Sequence, residues 1–169
     1  MSKTELLKEL ELIKFPLSAS RYNTMRNNIA NRGFVLGKVR NRGRGLWKDK
    51  RVIRDSRKND DPKYSKIYEL AKAVIKKSKP DFKYNTIQFN KNARMAKHID
   101  GYNVGISTML GLGDYTGGDL IIYDEKGKNP KKVETKNKWV TFNGSKLPHE
   151  TDKFKGTRYT LVFFNTEFH

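Results

Sequence analysis

His98 and Asp100 are the side chains from which chemistry is most readily built. At i and i+2 near the end of an extended segment they point to the same side. An imidazole nitrogen and a carboxylate oxygen can then reach one metal ion. A third ligand is available in His149, and the chain has only three histidines. Two imidazoles and one carboxylate on one face of an octahedral ion leave three positions open, a set that suits iron(II) binding further ligands. The plainer alternative makes His98 and Asp100 a surface pair and His149 a loop residue. Nine residues beyond His149, Arg158 is the cation in Gly156-Thr157-Arg158-Tyr159-Thr160-Leu161-Val162-Phe163-Phe164. That is a buried-strand pattern, and a guanidinium inside it calls for an anionic partner.

These residues need a scaffold, and the sequence changes texture near residue 80. From Asp81 onward short strands are expected near 82–90, 94–100, 104–112, 118–123, 131–136, 138–142, 148–154 and 157–165, separated by Gly-Asp, Gly-Gly and Asn-Gly turns. Short strands so punctuated suit a double-sheet jelly roll. Gly117-Gly118 reads as a bulge or a close approach to a neighbouring chain segment. On the front side, Ser2-Lys3-Thr4-Glu5 has capping-box spacing, with Leu6, Leu10 and Ile13 following on one helical face. A second helix is expected from Ser18 or Ser20 to Gly33. A third starts at Asp61-Pro62 and places Tyr64, Ile67, Tyr68, Ala71, Val74 and Ile75 inward. The fold class expected is α+β: one domain over 1–169, with a helical, basic part at 1–80 buttressing a jelly-roll core at 81–169.

Charge separates the same two parts. The formal net charge is +18; residues 1–80 hold 22 Lys/Arg against 8 Asp/Glu, and residues 81–169 hold 14 against 10. A basic front on a nearly balanced back points to a polyanion-binding surface beside a different functional core. The densest basic run, 37–58, includes Arg40, Arg42, Arg44 and Trp47. Arginines there offer phosphate contacts and Trp47 a stacking face on a glycine-broken loop; a solvated loop with Trp47 anchored in the core is the alternative. There is no cysteine, which excludes disulfides and thiolate chemistry. No apolar run is long enough to span a bilayer, and no signal peptide is read at the N-terminus, so an intracellular, soluble protein is expected.

From about Asn85 to Phe164 the chain resembles the 2-oxoglutarate/Fe(II) dioxygenase superfamily. Asn90-Lys91-Asn92, His98-Ile99-Asp100-Gly101-Tyr102-Asn103, Leu112-Gly113-Asp114-Tyr115-Thr116-Gly117-Gly118-Asp119-Leu120 and the His149…Gly156-Thr157-Arg158 ending are most similar to its TET/J-binding-protein branch. That resemblance implies a double-stranded β-helix with Fe(II) held by His98, Asp100 and His149. It also implies 2-oxoglutarate and O2 as co-substrates and succinate and CO2 as products. Arg158 would grip the distal carboxylate of 2-oxoglutarate, with Thr160 on the same strand face and Asn90 beside them. Asn103 would contact a target pyrimidine base, although Asn also favours a turn after Asp100-Gly101. The substrate implied is a thymine or 5-methylcytosine methyl group in nucleic acid, DNA ahead of RNA. A prolyl or lysyl protein hydroxylase on the same core, and a non-catalytic basic nucleic-acid-binding protein, remain open. Prolyl hydroxylases usually carry Lys where Arg158 stands. AlkB-type demethylases carry a second Arg at the position of Phe164.

Overall fold

The computed structural model describes residues 2–18, 31–42, 51–101 and 103–167. Helix α1 covers Lys3–Leu12 and buries Leu6 and Leu10. Ser2 stands at its N-cap, but its side chain caps nothing, so the capping box does not form. Helix α2 covers Pro62–Ser78 and starts as its sequence dictates: the Asp61 carboxylate accepts from Lys63 N at 2.9 Å, and Pro62 occupies the first turn. It buries Tyr64, Ile67, Leu70, Ala71, Val74 and Ile75, with Tyr68 half-buried. Lys66 bonds Glu9 across the two helices at 2.8 Å.

The strands are β1 (Leu17–Ser18), β2 (Asn31–Arg42), β3 (Arg51–Asp55), β4 (Thr86–Lys91), β5 (Asn103–Leu112), β6 (Tyr115–Gly117), β7 (Leu120–Ile122), β8 (Lys131–Val133), β9 (Trp139–Phe142), β10 (His149–Thr151), β11 (Phe154–Gly156) and β12 (Tyr159–Thr166). The major sheet runs β1-β2-β4-β12-β5-β9, with β3 paired to β2. A smaller sheet runs β10-β7-β8, and β11 pairs with β6. All of these pairs are antiparallel. With the helices laid on the major sheet, this is the α+β jelly-roll architecture expected.

Three expectations are corrected. Residues 94–100 form no strand; His98 makes only an isolated bridge to His149. The second helix cannot reach Gly33, because Asn31–Gly33 belong to β2; its span over 19–30 lies outside the described residues. The basic run is not simply a glycine-broken loop, since β2 and β3 pair from Lys38↔Asp55 to Arg42↔Arg51. Glycine proved compatible with a strand here because Gly33 and Gly37 are close-approach positions. A Cβ on Gly33 would lie 2.5 Å from Phe89 O, and one on Gly37 2.4 Å from Asn85 O. The boundary near residue 80 is thus a change of composition within one sheet, as β2 pairs with β4 from Arg32↔Lys91 to Gly37↔Thr86.

Strand β4 shows how the fold sets up its interior. Thr86 to Asn90 are all buried, yet they alternate between polar and apolar. Ile87 and Phe89 face the helices, in one core with Leu6, Leu10, Phe34, Leu36, Ile67, Ile75, Leu161 and Phe163. Phe89 stacks on Phe34 with ring centroids 4.7 Å apart. Each such buried side chain stabilises the fold by about 1.5–3 kcal/mol. Thr86, Gln88 and Asn90 face the other way, into a cavity between the sheets. Strand β12 repeats the pattern: Tyr159, Leu161 and Phe163 pack outward, whereas Thr160, Val162, Phe164 and Thr166 line the cavity.

Candidate metal centre

His98, Asp100 and His149 converge in that cavity, with their ligand atoms within 4.8 Å of one another. His98 is held to the start of β10 by a two-way backbone bridge, His98 N to His149 O at 3.0 Å and His149 N to His98 O at 2.9 Å. Asp100 N donates to Gly144 O at 2.9 Å, which fixes the turn carrying the carboxylate. A Cβ on Gly144 would come within 3.0 Å of Asp100 Oδ2 and 3.3 Å of His149 Cε1. A side chain at this position would press on both ligands.

The imidazoles are oriented by carbonyls. His98 Nδ1 lies 2.6 Å from Ala96 O, and His149 Nδ1 lies 2.8 Å from Leu147 O. A carbonyl only accepts, so each Nδ1 carries the hydrogen, and each Nε2 of a neutral ring presents a lone pair. Those lone pairs face Asp100 oxygens at 3.4 Å for His98 and 3.2 Å for His149. Two imidazole nitrogens and a carboxylate converging in this way favour a cation between them. Burial pushes the Asp100 carboxyl up, but contact with His149 and then His98 outweighs it and holds the group well below the usual carboxylate range. The donor set, two imidazoles and a carboxylate, fits Fe(II).

Arg158 lines the same cavity and is 3% exposed. Its backbone is clipped by Asn92: Arg158 N donates to Asn92 Oδ1 at 2.8 Å, and Asn92 N donates to Arg158 O at 2.7 Å. Its guanidinium sits between the Tyr115 and Phe154 rings, 5.7 and 5.6 Å from their centroids. Nη2 donates to Gly118 O at 3.0 Å and Nη1 to Ala93 O at 3.4 Å, while Nε, also buried, has no partner. Among the described residues, no carboxylate makes an ion pair with it. Burial accordingly pushes Arg158 below its ordinary value, against the opposing pull of Tyr115 and Asp119. A buried, held guanidinium of this kind is prepared for an anion. Gly118 makes room for it at φ +71, since a Cβ there would fall 2.7 Å from Arg158 Nε. The Gly-Gly pair is thus the close approach expected of it.

The cavity, about 620 Å³, also takes in Asn90, Asn103 and Thr160. Asn90 stands opposite Thr160 in the β4–β12 ladder and donates to its hydroxyl at 3.3 Å. Asn103 is buried at the start of β5, its backbone N–H closing a turn onto Asp100 O at 3.0 Å. It therefore occupies both the turn and the cavity wall. Of the basic-run residues expected to touch substrate, Arg40 lines the cavity. Arg42 lies on β2 with its side chain outside the described residues, as are Arg44 and Trp47 entirely. Lys38 and Arg54 join Arg40 at the wall, and Lys38 is partnered by Asp55 at 2.6 Å. Gln88 and Gly144 carried no site role in the sequence reading. The polar alternation Thr86-x-Gln88-x-Asn90 was the available signal for Gln88; nothing local signals Gly144, which matters only through tertiary contact.

No protein-family model and no curated protein sequence matches the chain. Solved structures match nearly its whole length. A 2OG-Fe(II) oxygenase family oxidoreductase from Burkholderia pseudomallei has a TM-score of 0.57 at 12% identity, covering 95% of this chain and 76% of that one. NgTET1 in complex with 5mC DNA has 0.58 at 13%, covering 99% and 69%. A prolyl-4-hydroxylase from Pseudomonas putida has 0.51 at 14%, covering 98% and 84%. The chain has the 2OG-Fe(II) oxygenase fold, and inside it stands a candidate His-x-Asp…His metal triad. Among the described residues, no helix is long and apolar enough to cross a membrane.

Proposed function

We propose that this protein is an Fe(II)/2-oxoglutarate-dependent dioxygenase that hydroxylates a pyrimidine base in nucleic acid, with DNA the favoured polymer. The observation that carries it is one cavity holding three groups of residues: the metal triad, the partnerless Nε of buried Arg158, and the cations of the β2–β3 ribbon. Bound Fe(II) with 2-oxoglutarate and O2 supplies an oxidant for unactivated C–H bonds and leaves succinate and CO2. His98, Asp100 and His149 would hold the metal. Arg158 would receive the distal carboxylate of 2-oxoglutarate on its planar fork, with the Thr160 hydroxyl beside it.

Residues on the remaining wall fit a base and its backbone. Asn103 offers an amide that both donates and accepts, as a pyrimidine edge requires. Arg40 and Arg54 line the same cavity and would offer phosphate contacts to a nucleotide entering it. At about 620 Å³ the cavity falls in the range of small-molecule sites, so a base in a duplex would have to be flipped out to enter. The NgTET1 structure, of the same fold, contains 5mC DNA.

Nucleoside mass spectrometry tests this reading. The protein is incubated with Fe(II), 2-oxoglutarate, ascorbate and DNA or RNA containing thymine and 5-methylcytosine, beside a His98→Ala control. One added oxygen on one pyrimidine, absent from the control, is expected. Succinate without a modified nucleoside would move the substrate to protein, as in the Pseudomonas putida hydroxylase. No succinate at all would remove the enzyme reading.

A further inference from the structure

We infer that Thr135 is a positioning residue for the co-substrate: without lining the cavity, it fixes two groups that hold the Arg158 guanidinium, the Gly118 carbonyl and the Tyr115 ring. The inference rests on the proposed 2-oxoglutarate site. Thr135 stands between β8 and β9, far from Arg158 in the chain. Its Oγ1 donates to Gly118 O at 3.2 Å, and the same carbonyl accepts from Arg158 Nη2 at 3.0 Å. A carbonyl oxygen has two lone pairs. Thr135 takes one of them, which confines Nη2 to the other and so limits how the planar fork can turn. Gly118 N donates to Lys153 O at 2.9 Å, so this residue is pinned on its amide side as well. A guanidinium has five N–H groups. Nη2 spends one on Gly118 O and Nη1 one on Ala93 O; the direction of the fork decides where the others meet an anion.

The same hydroxyl reaches the other side of the guanidinium. Thr135 has one hydrogen and gives it to Gly118. The Tyr115 hydroxyl, 3.0 Å from Thr135 Oγ1, is therefore the donor of that pair. Thr135 thus ties down the Tyr115 ring, whose centroid lies 5.7 Å from the guanidinium carbon. Thr135 and Tyr115 are 1% and 2% exposed, so water offers no ready substitute for either bond. The backbone holds the hydroxyl in place. Gly111 N donates to Thr135 O at 3.0 Å and Asn137 N to Gly111 O at 2.7 Å, which anchors the Thr135 turn to β5. A Cβ on Gly111 would run into the Tyr115 hydroxyl oxygen and lie 2.7 Å from Thr135 O. A side chain at 111 would press on both partners.

Removing the hydroxyl while keeping the shape is the test. Thr135→Val does so, Thr135→Ser retains the hydroxyl, and Thr135→Ala reads the same contrast if the valine variant does not fold. Affinities are measured by calorimetry on Mn(II)-loaded protein, for 2-oxoglutarate and for 2-oxobutyrate, which lacks the distal carboxylate. Thr135→Val is made alone and in an Arg158→Ala background. Expected are about tenfold weaker 2-oxoglutarate binding in Thr135→Val, affinity near that of wild type in Thr135→Ser, and little change for 2-oxobutyrate in either. No further loss is expected when Arg158 is already Ala. Undiminished 2-oxoglutarate binding in Thr135→Val, with Arg158→Ala still weakening it, would overturn the role of Thr135 and leave the co-substrate site standing. Equal losses for the two ligands, or a loss that Thr135→Ser shares, would also overturn it, since a general disturbance of the fold would then account for the effect. Wild type that binds 2-oxobutyrate as tightly as 2-oxoglutarate would overturn the Arg158 site and the role of Thr135 together.

Discussion

Gly118→Ala and Gly127→Ala make a matched pair that isolates what the glycine beneath Arg158 does. Both residues sit in left-handed backbone, φ +71 and φ +76. Alanine in that region costs about 1–2 kcal/mol at either place. For a domain of this size, that cost lowers Tm by roughly 2–8 °C. The surroundings differ. At Gly127 the added methyl meets only the end of the flexible Lys97 side chain at 3.3 Å. At Gly118 it would fall 2.7 Å from Arg158 Nε and 2.9 Å from Cδ, so the guanidinium must leave its place between Tyr115 and Phe154. Losing a charge-assisted bond to the co-substrate costs about 1.5–3 kcal/mol, or roughly 10- to 150-fold in affinity. Thermal denaturation and calorimetric titration with 2-oxoglutarate on Mn(II)-loaded protein measure the two effects separately. The expected result is that Gly118→Ala is destabilised at least as much as Gly127→Ala, and that only Gly118→Ala binds 2-oxoglutarate weakly. Equal affinity in the two variants would refute Arg158 as the anion's anchor in the position described.

Gly144→Ala should weaken metal binding, read by competition with a chelator, because its methyl would crowd Asp100 Oδ2 at 3.0 Å; disturbing the groups that hold metal ligands in place costs about 10- to 100-fold. Replacing Arg40 and Arg54 by Ser should reduce the slope of log affinity against log salt for DNA by about one per residue. Measured by fluorescence anisotropy, an unchanged slope would detach the β2–β3 ribbon from nucleic acid. Leu161→Ala, made on the face of β12 opposite Thr160, should cost about 2–5 kcal/mol in urea denaturation while the folded protein keeps its 2-oxoglutarate affinity. A parallel loss of affinity would mean that the two faces of the strand are not independent.

Several features could be read from the chain because they are local. Asp61-Pro62 specifies the start of α2 through a cap and a fixed φ. The alternation in Tyr159–Phe164 distinguishes the wall of the cavity from the core. The triad was legible because few histidines were available to choose among. What escaped was decided by tertiary pairing. Asn31–Arg42 looks like a helix end followed by a broken loop, but β4 and β3 provide partners that convert it into a strand. His98 and Asp100 reach their positions without a strand around them, held by bridges to His149 and Gly144 that lie far away in the chain.

Strand β4 binds heredity to register. Its odd positions, Ile87 and Phe89, belong to the helix-facing core, and its even positions, Thr86, Gln88 and Asn90, to the cavity wall. Substitution can alter either set while sparing the other. Insertion or deletion of one residue would exchange them, sending amides into the apolar core and phenylalanine into the cavity. A slipped chain therefore fails to fold before it can present an altered wall. Change at this wall is confined to point substitution, and the spacing of its polar residues is protected by the stability of the protein itself.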